Sequence, residues 1–158
     1  MSELELAKLR SSIQECDAHA EKIERDLRLI DFIPMDHDRF SILNEEEIEH
    51  LDQMIYRFTK LQDAMGRRLM RALYFLLEPE SDPAIPFIDI LNRLEKMEIL
   101  SSVDNWEQFR EMRNNIAHEY PERVTDTLLT LNRLYRELPI LIEQYRSMRR
   151  YAIEKFKV

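Results

Sequence analysis

The stretch from Trp106 to Glu122, WEQFREMRNNIAHEYPE, carries the side chains in this chain that are best suited to chemistry. Four residues separate Arg113 from His118. Histidine exchanges a proton near neutral pH, whereas arginine keeps its charge and binds phosphate through paired donors. Together they could cleave RNA without a metal ion, because one group helps to deprotonate the ribose 2′-hydroxyl while the cation stabilises charge on the phosphorus oxygens. DNA lacks that hydroxyl, so the predicted substrate is RNA.

A helical wheel separates this stretch into an apolar face and a polar face. The apolar arc consists of Trp106, Phe109, Met112, Ile116 and Tyr120. Arg113 falls within that arc, while Asn114 and His118 share the far side. A plainer interpretation is that His118 complements the helix dipole and that Arg113 pairs with a carboxylate at the edge of the core. One histidine per chain supplies one acid–base group, so catalysis would need a symmetric dimer that places two histidines in a shared cleft.

The segment RNNIAHEY, residues 113–120, resembles the motif of the HEPN superfamily. That motif has an arginine, a polar residue, a short spacer and a histidine, and here Asn114 is the polar residue. The extension to Tyr120 makes the pattern Arg-x4-His-x-Tyr, which looks like the HepT branch of bacterial toxins.

The resemblance implies a metal-independent endoribonuclease toxin that acts as a homodimer and needs no cofactor. Arg113 and His118 from two protomers would form one catalytic site, and Asn114 would orient the histidine or contact the RNA. The implied partner is the antitoxin of a type VII-like toxin–antitoxin system, a minimal nucleotidyltransferase that blocks the toxin by attaching AMP to Tyr120. On the wheel, however, Tyr120 points towards the core.

Two other functions stay open at this stage. Related HEPN proteins beside nucleotidyltransferases have been viewed as substrate-binding subunits, so the chain could be a non-catalytic subunit that binds a substrate or nucleotide. It could also be a helical assembly protein in which Arg113 and His118 contribute only to stability or dimerisation.

Apolar residues recur at helical spacing along most of the chain, which predicts about five helices. These helices are expected at residues 2–31, 44–77, 86–97 and 104–118, and from 123 through 156 with a kink or restart at Pro139. Asn44 and Asp104 are the predicted caps, each with a glutamate three residues later. Pro121 should end the fourth helix at Tyr120. Because no strand pattern is present, the predicted fold is an all-α antiparallel (up-and-down) bundle forming one domain, residues 1–158.

Composition narrows the function classes. The presence of only one glycine, Gly66, argues against glycine-rich phosphate loops, and its place in a helical pattern indicates close helix packing or a tolerated weak spot. A net charge of −8 argues against a general nucleic-acid coat protein. The longest apolar run, residues 72–77, is too short to span a membrane. Without a recognisable signal peptide, and with Cys16 as the only cysteine, the predicted location is the cytoplasm.

The remaining polar clusters are weak candidates for sites. Asp36, His37 and Asp38 are adjacent in the sequence and cannot easily face one metal ion, so no metal site is predicted. His19 and His50 are predicted to be ordinary groups on a helix surface. Two arginine-rich segments, RRLMR at 67–71 and RSMRR at 146–150, are interpreted as solvated helix faces.

Overall fold

The chain folds as an all-α protein in the computed structural model, which describes residues 2–120 and 122–158. Within these residues no strand is formed. The helices are α1 (Glu3–Leu29), α2 (His37–Ser41), α3 (Glu45–Ala64), a π-helical turn (Met65–Leu69), α4 (Met70–Leu77), α5 (Phe87–Lys96), α6 (Val103–Glu119) and α7 (Val124–Phe156). Pro121 lies outside the described residues, together with its predicted role in ending α6. The all-α prediction is confirmed, whereas the up-and-down arrangement of the helices stays a prediction.

Two features of the helices were not expected from the sequence. The short helix α2 has no buried residue, so no apolar pattern marks it. The predicted helix at 44–77 is interrupted by the π-helical turn, in which the Met70 N–H donates to the Met65 carbonyl, one residue further back than in an α-helix. Such turns widen the helix locally and often lie at functional sites.

The predicted helix caps have different outcomes. At Asn44 the capping box is present: the Glu47 N–H donates to Asn44 Oδ1 at 2.8 Å, and the Asn44 N–H donates to Glu47 Oε1 at 3.1 Å. The predicted cap at Asp104 is wrong. Helix α6 begins one residue earlier, and the Ser102 hydroxyl caps it by accepting the Asn105 N–H at 3.1 Å.

Pro139 lies inside α7 and does not restart it. The helix is continuous from Val124 to Phe156, so the predicted restart is wrong. Pro139 is exposed while the neighbouring Leu138 and Leu141 are fully buried. Burial of the apolar stripe on both sides of the proline offsets the loss of one backbone hydrogen bond.

Helix α6 packs against α3 and the π-helical turn. The ring of Trp106, near the start of α6, is so close to Gly66 that a Cβ atom on the glycine would lie 3.2 Å from Trp106 Cζ2. At the other end of α6, Tyr120 contacts Asp52 near the start of α3. The two helices therefore run in opposite directions where they touch. The predicted packing role of Gly66 is confirmed.

Candidate functional site

Arg113 is held at the edge of the core by an acidic partner on α3. Its Nη1 donates to Asp63 Oδ1 at 2.7 Å, and its side chain is 26% exposed. In the single chain, Arg113 therefore pairs with a carboxylate, as the plainer interpretation predicted. A guanidinium carries five N–H donors, so the bond to Asp63 leaves others for a phosphate.

Asn114 and His118 lie on the exposed face of α6. They are four residues apart and thus neighbours on the helix surface, with the small, exposed Ala117 beside them. In the described part of the chain, His118 makes no hydrogen bond or ion pair. Arg113 points instead towards α3, so a single chain presents the motif residues on two sides of α6.

Tyr120 follows α6 and is half-buried against the core. Its hydroxyl donates a hydrogen bond to Asp52 Oδ1. Burial, followed by the bond to Asp52, raises the pKa of the Tyr120 phenol above its ordinary value. A reaction at this oxygen therefore requires a base, and the carboxylate of Asp52 already contacts the proton that must leave.

A pocket of about 260 Å³ opens beside Arg113, and it is lined by the end of α3, the π-helical turn, the start of α4, α5 and α6. Its lining residues are Gln62, Asp63, Gly66, Arg67, Arg71, Phe87, Trp106, Arg110 and Arg113. We call it the arginine pocket. Asp63 is its one acidic residue, so four arginines face one carboxylate.

Three of these arginines have no acidic partner in the described part of the chain. Arg67 and Arg110 are exposed and unpaired there. Arg71 stacks on the ring of Phe87, with its guanidinium carbon 5.3 Å from the ring centroid. The neighbouring Arg68 differs, because it pairs with Glu15 and does not line this pocket. The prediction of a solvated face therefore holds for part of the 67–71 segment only.

The other arginine-rich segment, RSMRR, is neutralised by carboxylates. Arg146 pairs with Glu24 at 2.6 Å, Arg149 with Asp17 at 2.9 Å, and Arg150 with an acidic residue on its own helix at 2.9 Å. These ion pairs leave little net positive charge at that surface. The RSMRR arginines therefore differ from Arg67, Arg71 and Arg110, which line one pocket and have no acidic partner in the described residues.

The wall of the pocket also contains buried polar groups without partners. Gln62 is 2% exposed, and neither its amide oxygen nor its amide nitrogen has a hydrogen bond in the described residues. The indole N–H of Trp106 is likewise buried and unpaired there. Buried polar groups are usually satisfied, so two such side chains in one pocket wall are unusual.

The acidic and histidine residues at 36–38 have structural contacts. Asp36 Oδ1 caps α2 by accepting the Arg39 N–H at 2.8 Å, and His37 Nε2 lies 3.1 Å from Thr125 Oγ1. Across residues 2–120 and 122–158, no group of three or more histidine, cysteine or acidic side chains is arranged to hold a metal ion.

The prediction for His19 is wrong, because this residue is 9% exposed. Its Nδ1 lies 3.0 Å from Arg57 Nη1, so the neutral ring accepts a hydrogen bond there. Burial and then the positive charge of Arg57 lower the pKa of His19. The spacing contained a signal for this burial, because His19 follows Cys16 by three residues and shares its buried face.

Comparison with known proteins does not assign this chain to a family. No protein-family model, curated protein or solved structure matches this chain. In the part of the chain that the structure describes, no helix combines the length and the apolar character needed to cross a bilayer.

Sequence reasoning missed the residues that surround Arg113. Asp63 belongs to a helix that lies 50 residues away in the chain, and nothing in its local pattern marks it as a partner. The sequence signal for the pocket was the single glycine, Gly66, followed directly by Arg67. Since glycine has no side chain, the Trp106 ring can pack against the backbone there, beside the arginines.

Proposed function

We propose that this protein is a cytoplasmic, HEPN-like endoribonuclease that cleaves RNA without a metal ion and acts as a homodimer. Arg113 and His118 are the proposed catalytic residues, and Asn114 orients the histidine or contacts RNA. The observation that supports the proposal is the exposure of Asn114 and His118 on one face of α6, while Asp63 holds Arg113 in position on another side of the same helix.

The proposed dimer brings the exposed face of α6 from each protomer to a common cleft. This arrangement supplies two imidazoles, which a single-step RNA cleavage can use as a base and an acid. The ion pair with Asp63 fixes the position of Arg113 before RNA binds, and other N–H donors of its guanidinium remain for the phosphate.

The chemistry follows from these groups. One His118 takes the proton of the ribose 2′-hydroxyl, and the 2′-oxygen attacks the adjacent phosphorus. The bond from phosphorus to the 5′-oxygen breaks, and the other His118 donates a proton to that oxygen. Arg113 stabilises the negative charge on the non-bridging oxygens. The products are a 2′,3′-cyclic phosphate and a 5′-hydroxyl end.

In the proposed regulation, a nucleotidyltransferase antitoxin inhibits the protein by transferring AMP to Tyr120. The protein would then be the toxin of a type VII-like toxin–antitoxin system. The Tyr120 oxygen would attack the α-phosphate of ATP, its proton would pass to Asp52, and pyrophosphate would leave. The hydrogen bond from the hydroxyl to Asp52 supports this route, whereas the half-burial of the side chain requires Tyr120 to turn outward first. AMP at this position would add negative charge and bulk beside α6.

The test uses purified, unmodified protein and a set of RNAs in the presence of a chelator. We expect cleavage to persist in the chelator, cyclic phosphate ends to form, and His118→Ala to abolish the activity with an unchanged circular dichroism spectrum. His50→Ala is the matched control, because it removes an imidazole from α3 and should leave cleavage intact. Intact RNA with a dimeric wild-type protein would contradict the proposal.

The alternative function is a non-catalytic subunit that binds a substrate or nucleotide for a nucleotidyltransferase. The arginine pocket favours it, because unpaired cations beside Trp106 suit a nucleotide. This alternative predicts nucleotide binding by calorimetry and no RNA cleavage by the same preparation. The absence of nucleotide binding, with and without the partner enzyme, would contradict it.

A further inference from the structure

We propose that the arginine pocket is a binding site for a phosphate group carried by a nucleotide or by an RNA strand. The site goes beyond the proposed cleavage reaction, because its cations are Arg67, Arg71 and Arg110 rather than the motif residues alone. Its occupancy does not require His118.

Charge is the first argument. The whole chain has a formal net charge of −8, yet this pocket gathers four arginines around one carboxylate. Asp63 is engaged by Arg113, so the other three guanidinium groups carry charge that no acidic side chain in the described residues neutralises. Like charges held close together repel, and an anion between them relieves that repulsion. Phosphate and carboxylate both match the paired N–H donors of guanidinium, and a phosphate monoester carries the larger negative charge for a cluster of cations.

The buried polar groups are the second argument. Gln62 offers a donor and an acceptor, and Trp106 offers an N–H donor, all without partners in the described residues. An unpaired polar group in a buried wall is destabilising unless something bonds to it. These atoms have almost no accessible surface, so a ligand bonds to them only if the pocket wall shifts when the ligand binds. A phosphate would then accept from the N–H groups, and an attached ribose hydroxyl would donate to the amide oxygen of Gln62.

The backbone provides the third argument. Arg67 in the π-helical turn and Arg71 in α4 lie four residues apart, and both line the pocket. Phe87 holds the Arg71 guanidinium by stacking, which limits its motion before a ligand arrives. Gly66 lets the Trp106 ring reach the wall. The volume of about 260 Å³ is near the lower end for small-molecule sites, so the pocket suits one phosphate with an adjoining sugar.

Trp106 provides a direct measurement, because it is the only tryptophan in the chain and lies in the pocket wall. The experiment titrates the full-length protein with pyrophosphate, AMP, adenosine and a short 2′-O-methyl oligoribonucleotide, which cannot be cleaved through its 2′-oxygen. We expect a saturable change in tryptophan fluorescence with the phosphate-bearing probes and none with adenosine. If AMP binds more tightly than the oligonucleotide, the natural ligand is a free nucleotide. If the oligonucleotide binds more tightly, the natural ligand is an RNA strand.

Variants then test the assignment to this pocket. Arg71→Gln and Arg110→Gln should each weaken binding by at least about tenfold, because each removes a charge-assisted bond to phosphate. Asp63→Asn should tighten binding, because it removes the negative charge of the pocket. Arg136→Gln is the matched control: it removes an exposed arginine from α7 and should leave binding unchanged. Arg110 is exposed, so its substitution keeps the test valid even if Arg71→Gln disturbs the fold.

Two results would overturn the inference. One is that no phosphate-bearing probe changes the fluorescence of the wild-type protein or produces heat in calorimetry. The other is that folded Arg110→Gln binds every probe as tightly as Arg136→Gln does. His118→Ala separates this inference from the proposed function, since it should lose RNA cleavage while keeping phosphate binding.

Discussion

Replacing Arg113 by alanine should separate its structural role from its chemical role. The ion pair with Asp63 is short, at 2.7 Å, but its side chains are 26% and 39% exposed. Exposed ion pairs contribute about 0.2–1 kcal/mol, and a hydrogen bond between charged groups can contribute more when water is excluded. For this half-exposed pair we therefore expect Arg113→Ala to lower the free energy of unfolding by about 1 kcal/mol.

Thermal and urea unfolding measure that loss. In a chain of 158 residues, 1 kcal/mol corresponds to a fall in Tm of about 2–4 °C. Asp63→Ala and the double variant complete a cycle that isolates the pair energy from the packing of the arginine stem. RNA cleavage, assayed on the same samples well below the Tm, should fall by at least about a hundredfold, because a cation aimed at the transition state is lost.

Two results for Arg113→Ala would contradict a catalytic role: a large fall in Tm with little specific loss of RNA cleavage, or unchanged cleavage. A fall in Tm well beyond 10 °C with cleavage reduced only in proportion to the unfolded fraction would make Arg113 a structural residue, as in a helical assembly protein. Unchanged cleavage by a stable Arg113→Ala protein would remove the arginine from the mechanism.

Three further predictions concern α6, the helix caps and the buried histidine. His118→Ala should change the free energy of unfolding by less than about 0.5 kcal/mol, because the residue is exposed, and urea unfolding checks this. Asn44→Ala removes the capping box and should cost about 0.5–2 kcal/mol in the same assay, whereas Glu45→Ala on the next residue serves as its control. The lowered pKa of His19 means that the unfolded chain binds a proton at higher pH than the folded chain does. The wild-type protein should therefore lose stability as the pH falls below about 6.5 towards the folded pKa, and His19→Gln should lose less over that window; equal pH slopes would contradict this.

The sequence by itself determined the fold class and most helix positions. Apolar residues at three-and-four spacing can be buried only on one face of a helix, so the pattern predicts helices wherever it continues. The capping box at Asn44 was equally readable, because its partners are three residues apart. At Asp104 the same local pattern was misleading, since the Ser102 hydroxyl formed the cap instead.

Tertiary structure decided the surroundings of the candidate site. Sequence spacing placed Asn114 and His118 on the polar face of α6, since a helical period assigns faces without any partner. It could not assign Asp63 to Arg113 or Asp52 to Tyr120, because those contacts depend on how α6 lies against α3. The arginine pocket likewise forms only where α3, the π-helical turn, α4, α5 and α6 meet. Contacts between distant segments arise from packing geometry, and a local pattern contains no information about that geometry.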